Sequence, residues 1–109
     1  RMSDTSVVAA RIKEVRIRLG LTQAVLGEML GLDKSRASSR INHYEKGRHF
    51  PPYEFMMSLS RLTHTPLSYF YEPDPKLAQT IKDLSELSKA NRELITHIID
   101  ELKSRDKSK

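Results

Sequence analysis

Apolar residues recur every three or four positions through most of the chain, which is the repeat of an α-helix. The first such stripe is formed by Val8, Ile12, Val15 and Leu19. Gly20 follows the stripe, and glycine is a common residue just past the end of a helix. The pattern therefore predicts a first helix over residues 5–19.

Two short helices are predicted next, with Gly31 in the turn between them. The second follows the capping residue Thr22, and its apolar positions are Val25, Leu26, Met29 and Leu30. The third is expected to begin near Asp33 or Ser35, because either side chain can accept hydrogen bonds from the free amides of a first helical turn. Gly47 ends it, and its core-facing positions are Ala37, Ile41 and either Tyr44 or Glu45.

The same spacing predicts helical structure in the rest of the chain. Pro51 and Pro52 introduce a fourth helix, and Pro66 opens a short fifth one. Asp74 can cap a further helix whose first residue is Pro75, with the stripe Leu77, Ile81, Leu84 and Leu87. Ser88 can cap a last helix, and residues 103–109 are expected to be disordered.

Length and composition fit one small all-α domain with an extension. The 109 residues contain no cysteine, which excludes a thiol nucleophile and a thiolate zinc site. Since the sequence shows neither a long apolar run nor a signal-peptide pattern, we expect a soluble cytoplasmic protein with no membrane segment. Arg1 precedes Met2, which we expect to be the natural start.

The positive charge is concentrated in the first part of the chain. Residues 1–71 hold 11 Lys and Arg against 6 Asp and Glu, whereas residues 72–109 hold 8 of each. A basic surface favours polyanionic partners, although a net charge of +5 is also common in proteins that are merely soluble. Charge alone does not choose between these two interpretations.

Motifs for catalysis or metal binding are absent from the sequence. The four histidines, His43, His49, His64 and His97, do not have the spacing of metal ligands. No nucleophile elbow or glycine-rich phosphate loop is present. We therefore predict no enzyme activity, no metal and no cofactor.

Residues 7–71 resemble the Cro/cI-like helix-turn-helix family, often called XRE. The resemblance rests on residues 16–23, on Leu26-Gly27 and Leu30-Gly31, on residues 41–47 and on Pro51. It implies a lambda-repressor-like five-helix DNA-binding domain over residues 1–72 that binds operator DNA as a dimer. It also implies a partly buried ion pair between Arg16 and Glu45. Gly27 lies within a helix, where glycine is unfavourable, so we expect the third helix to cross closely there.

One departure from the family concerns spacing. The stretch from Gly31 to Glu45 is about four residues longer than usual, which is about one helical turn. The added residues either lengthen the third helix at its start or enlarge the turn. In both cases they bring Lys34, Ser35 and Arg36 near the DNA.

Candidate DNA contacts divide into two groups. Base-reading candidates on or beside the third helix are Arg36, Ser38, Ser39, Arg40, Asn42 and His43. Phosphate-contact candidates are Gln23, Lys34, Ser35, Lys46, Arg48 and His49, with Arg61 as a weaker addition. Each arginine could equally contact a phosphate or lie free in solvent.

Residues 73–109 form a predicted C-terminal helical extension with more apolar surface than a five-helix domain needs. It either packs back on its own domain or pairs with a second chain, for which the expected interface residues are Leu84, Leu87, Leu94, Ile95, Ile98 and Leu102. The leading hypothesis is a dimeric transcriptional regulator, a repressor of a palindromic operator. The alternative is an antitoxin-type protein that binds a partner toxin through the C-terminal helices and represses its own operon.

Overall fold

The computed structural model describes residues 4–108, with side chains from residue 6; Arg1 and Met2 lie outside this range. The described residues form helices and connecting loops, with no strand among them. The helices are α1 (Asp4–Arg18), α2 (Gln23–Met29), α3 (Ala37–Glu45), α4 (Tyr53–Thr63), a 3-10 helix (Leu67–Tyr71), α5 (Pro75–Ser85) and α6 (Lys89–Lys107). The predicted all-α fold is therefore confirmed.

Side-chain caps begin three of these helices, as the sequence indicates. Thr22 Oγ1 accepts a hydrogen bond from the amide of Val25 at 3.1 Å. The Asp74 carboxylate accepts from the amide of Lys76 at 2.9 Å, and Ser88 Oγ accepts from the amide of Asn91 at 3.1 Å. Each cap satisfies an amide that lacks a partner within its own helix.

The third helix begins later than predicted. Neither Asp33 nor Ser35 caps it, because the residue before α3 is Arg36, which makes no side-chain capping hydrogen bond. Ser35 Oγ instead donates to the Asp33 carboxylate at 2.7 Å. The Asp33 carbonyl accepts from the amides of Arg36 and Ala37, both at 2.8 Å, and closes a separate turn over residues 34–36. The longer spacing therefore enlarges the turn, and α3 begins at Ala37 without a side-chain cap.

The core joins the first four α-helices, the 3-10 helix and α5. It is built from Val8, Ile12, Val15, Leu26, Ile41, Tyr44, Met56, Leu59, Tyr69, Phe70 and Ala78. Ala78 belongs to α5, and Ile81 of the same helix packs against the cluster. The first helix of the predicted extension therefore packs back on the domain that precedes it.

Polar contacts also attach the 3-10 helix to α1. Arg11 Nη2 donates to the carbonyl oxygen of Glu72 at 2.8 Å, and its guanidinium lies 5.5 Å from the centre of the Tyr69 ring. The Tyr69 hydroxyl donates to the Glu14 carboxylate, and burial is the main cause that raises the pKa of Tyr69. These contacts fix one side of the core around α1.

The last helix extends away from this core. None of its residues is fully buried, and the exposed ones include Leu94, Ile98, Ile99 and Leu102. The radius of gyration is 16.7 Å, against about 13 Å for a compact chain of this length. α6 also continues to Lys107, so the prediction that residues 103–109 are disordered is wrong for the described part of that segment.

Candidate nucleic-acid interface

Helices α2 and α3 meet at Gly27. A β-carbon built on Gly27 would lie 2.7 Å from the Ala37 β-carbon and 2.9 Å from the Ala37 carbonyl oxygen. Real β-carbons essentially never approach other atoms so closely, so only glycine fits at this crossing. The predicted close contact is confirmed, and it sets the separation of the two helices.

An ion pair joins α1 to the end of α3. Arg16 donates to both Glu45 carboxylate oxygens, Nε to Oε2 at 2.5 Å and Nη2 to Oε1 at 3.0 Å. The Glu45 side chain is only 3% exposed, so this pair is shielded from water. The hydrogen bond to Glu45 is the main cause that raises the pKa of the Arg16 guanidinium. Arg16 Nη1 also donates to the Leu21 carbonyl at 2.9 Å, so the same side chain reaches the loop before α2.

Gln23 contacts α3 as well. Its side-chain amide donates to Asn42 Oδ1 at 3.2 Å and to Glu45 Oε1 at 3.1 Å. That amide nitrogen thus donates within the protein, and the Asn42 side chain is oriented toward α2. The sequence could not reveal this link, because the two amides are 19 residues apart.

The outward side of α3 is polar. Ser38, Ser39 and Arg40 are exposed, His43 is half-buried, and Arg36 is exposed in the turn that precedes the helix. The opposite side packs into the core through Ala37, Ile41 and Tyr44. We call Arg36, Ser38, Ser39, Arg40 and His43 the recognition face. Asn42 lies at the edge of this face that borders α2.

The loop after α3 is held against the helix. Gly47 has a φ of +71°, and the amide of Arg48 donates to the His43 carbonyl at 3.0 Å while that of Gly47 donates to the Tyr44 carbonyl at 3.2 Å. This pair of hydrogen bonds is a Schellman motif, which reverses the chain direction at a helix end. The rings of His43 and His49 also pack edge to face, with 5.4 Å between their centres.

An open groove of about 620 Å³ lies between the turn, the helix and the loop. It is lined by Ser35 and Arg36 of the turn, Ser39, Arg40 and His43 of α3, and His49 and Phe50 of the loop, with Tyr44 and Pro52 beside them. We call it the α3 groove. Its lining among the described residues includes two arginines and no carboxylate, which makes it attractive to anions.

The other residues predicted to contact DNA lie around the α3 groove or on α4. Lys34 is exposed in the turn, and Lys46 and Arg48 are exposed in the loop after α3. Arg61 lies in the last turn of α4. Phe50 is not among the residues predicted from the sequence, and it is 54% exposed although its side chain is large and apolar.

Other chemistry is not apparent in the described residues. Residues 4–108 contain no cluster of three or more His, Asp or Glu side chains placed to hold a metal ion. Within that same range, no helix is long and apolar enough to span a membrane.

The helix-turn-helix domain family matches residues 9–72, which is more than half of the chain. The chain belongs to the XRE-type helix-turn-helix family. It is 34% identical over 68 residues to an uncharacterized HTH-type transcriptional regulator of Sinorhizobium medicae (strain WSM419). It has the same identity to the uncharacterized HTH-type transcriptional regulator R00410 of Rhizobium meliloti (strain 1021).

Each of these two alignments covers 62% of this chain and 46% of the relative, so the chain matches less than half the length of either regulator. The crystal structure of the transcriptional regulator BswR is similar over more of the chain. It superposes with a TM-score of 0.80 and 34% sequence identity, over 85% of this chain and 92% of BswR. An alignment over 85% of this chain must extend beyond residue 72, so part of the chain after the matched domain also has a counterpart in this solved structure.

Proposed function

We propose that this protein is a transcriptional repressor that binds a palindromic operator as a dimer, with α3 in the major groove of each half-site. Such a protein acts in the cytoplasm without enzymatic activity. The observation that supports this most directly is the recognition face, a polar and cationic, largely exposed surface of α3 and the turn before it, on a helix whose other side is fixed in the core. A helix of this kind can reach base edges while keeping its orientation.

The contacts around α3 support the assignment of roles. Arg36, Arg40 and the serines of the recognition face are free to approach bases, where arginine pairs with the N7 and O6 atoms of guanine. Lys34, Lys46 and Arg48 flank the face and suit phosphates, which contribute affinity and salt dependence. Asn42 can offer its amide nitrogen to a base while Gln23 holds its oxygen.

The dimer proposal relies on α6. Its exposed apolar residues would lose contact with water if two copies paired along this helix, and burial of apolar surface is the main driving force for association. Leu87, in the connection between α5 and α6, is also exposed, whereas Leu84 and Ile95 are half-buried. Pairing of two chains would supply the two recognition helices that half-sites about 34 Å apart require.

The exposed apolar side of α6 also supports the antitoxin alternative. A partner toxin could cover the same residues, and the complex would still bind DNA through α3. The two functions differ in what occupies α6, since a stable homodimer leaves that side unavailable to a toxin. The mass of the protein in solution therefore discriminates between them.

The test is selection of bound sequences from a random duplex DNA library, with the mass of the protein measured on the same sample. We expect enrichment of an inverted repeat by a dimer. Enrichment of a single half-site by a monomer would contradict the dimer and favour a partner protein on α6. A folded protein that enriches no sequence at low salt would overturn the regulator proposal.

A further inference from the structure

Phe50 is an apolar side chain in a polar and cationic setting. It is 54% exposed, and it lines the α3 groove together with Arg40 and His43 of the recognition face. An exposed phenylalanine contributes little to the core, and its contact with water is unfavourable. Its position beside the recognition face suggests that DNA, when bound, covers it.

The surrounding chain holds Phe50 in a fixed relation to α3. The Schellman hydrogen bonds at Gly47 attach the start of the loop to the helix, and the His43–His49 ring contact attaches its middle. Pro51, the next residue, is buried and restricts Phe50 to an extended backbone. A side chain with so little backbone freedom can be placed precisely against a ligand.

Apolar contacts in the major groove have one specific target. Thymine carries a methyl group at C5 there, whereas the other groups that distinguish the bases are hydrogen-bond donors and acceptors. We propose that Phe50 contacts a thymine methyl group in each half-site and so determines the base at that position. This inference rests on the proposed function, since it requires α3 to enter the major groove.

The surroundings of Phe50 favour a contact with a thymine methyl group over a contact made only with the sugar-phosphate backbone. Lys46 and Arg48 follow α3 in the loop that leads to Phe50. Cations of this kind suit phosphates. A phenyl ring among them has no favourable partner in a phosphate, but it has one in a methyl group at the edge of a base.

The experiment uses the full chain and the operator selected from the random library. Each thymine of one half-site, and its symmetry mate, is replaced by deoxyuridine, which removes only the methyl group. Affinities are measured for the wild type, Phe50→Ala and the control Tyr53→Ala. Tyr53 is 62% exposed and lies three residues further along, but it does not line the α3 groove.

We expect one thymine position at which deoxyuridine weakens wild-type binding by about 4-fold per half-site, the value for burial of one methyl group. Phe50→Ala should bind the thymine operator more weakly than the wild type does, by at least the same factor. This variant should bind the deoxyuridine operator and the thymine operator equally well. Tyr53→Ala should keep the wild-type response to deoxyuridine. Thermal melting of each variant checks that the fold is retained.

The Phe50 proposal is overturned if an operator is selected but every methyl effect persists in Phe50→Ala. It is also overturned if no thymine position responds to deoxyuridine, because the methyl contact is then missing. If the wild type selects no sequence at all, the proposed function fails and this inference fails with it. The two failures are therefore distinguishable.

Discussion

Single residues determine how α3 is held. Gly27 allows the close approach of α2 and α3, and Glu45 accepts hydrogen bonds from Arg16 and Gln23 at the other end of the helix. These two sites act on opposite ends of α3. Damage to either should therefore alter stability and DNA binding together.

Gly27→Ala should lower the free energy of unfolding by about 1–3 kcal/mol, because the added methyl group collides with the backbone of Ala37. The control is Ala10→Gly, at an exposed position of α1. There the methyl group is favourable, and its loss should cost about 1 kcal/mol. Chemical denaturation measures both, and a Gly27→Ala protein as stable as the wild type would contradict the close crossing.

Glu45→Ala should lower the free energy of unfolding by about 3–5 kcal/mol, because it leaves the Arg16 charge without its partner in a shielded site. The exposed pair between Arg105 and Glu101, 3.6 Å apart, provides the matched control. Glu101→Ala should change stability by less than about 0.5 kcal/mol. Equal changes in the free energy of unfolding of the two variants would show that burial of the Arg16–Glu45 pair adds nothing to stability.

At the scale of elements, the turn over residues 34–36, α3 and the loop that follows form one surface.

Helical periodicity predicted where the helices lie, but not which apolar residues they bury. Leu19, Val25 and Met29 belong to predicted stripes and are 48%, 43% and 53% exposed. Burial depends on the crossing of helices that are distant in sequence, so periodicity could not exclude these three.

The same limit applies to the start of α3. Asp33 and Ser35 are both residues that commonly cap helices, but they hydrogen-bond to each other instead. Local preference left a longer helix and a larger turn equally open. The structure has the larger turn, and α3 begins at Ala37. Ala37 is also the residue that packs against Gly27 of α2.

Arg40→Ala should weaken binding to the selected operator more than binding to random DNA, because a base contact is lost only where the right base is present. Arg48→Gln is the matched control, an exposed arginine in the loop after α3. It should weaken both by the same factor and reduce the salt dependence by about one counterion. Equal losses from Arg40→Ala on both DNAs would assign Arg40 to phosphate instead.

At the scale of the whole molecule, a core that includes α5 is followed by a helix that adds little to it. The predicted boundary near residue 73 does not coincide with a break in packing, because Ala78 is buried among core residues that precede it. The break in packing comes after Leu87, because α6 contributes no buried residue to the core. Association and folding should therefore be separable in this protein.

The double variant Ile98→Asp, Leu102→Asp should convert a dimer into a monomer with little change in the stability of the core. Both side chains are about half exposed on α6, so charges there disturb pairing and not the core packing. The control is Lys103→Glu, also exposed on the same helix. Light scattering measures the mass, and a wild type that is already monomeric would contradict the dimer proposal.

Local sequence was enough to predict the order of the helices, three of their caps and the helix-turn-helix family, because each depends on nearby residues or on a recognisable spacing. It also indicated Gly27 and the Arg16–Glu45 pair through that family resemblance. The packed structure was needed to show that the Gln23 amide binds Asn42, that α5 joins the core and that Phe50 lies beside the recognition face. These features depend on contacts between distant segments, whose geometry exists only when the helices have packed.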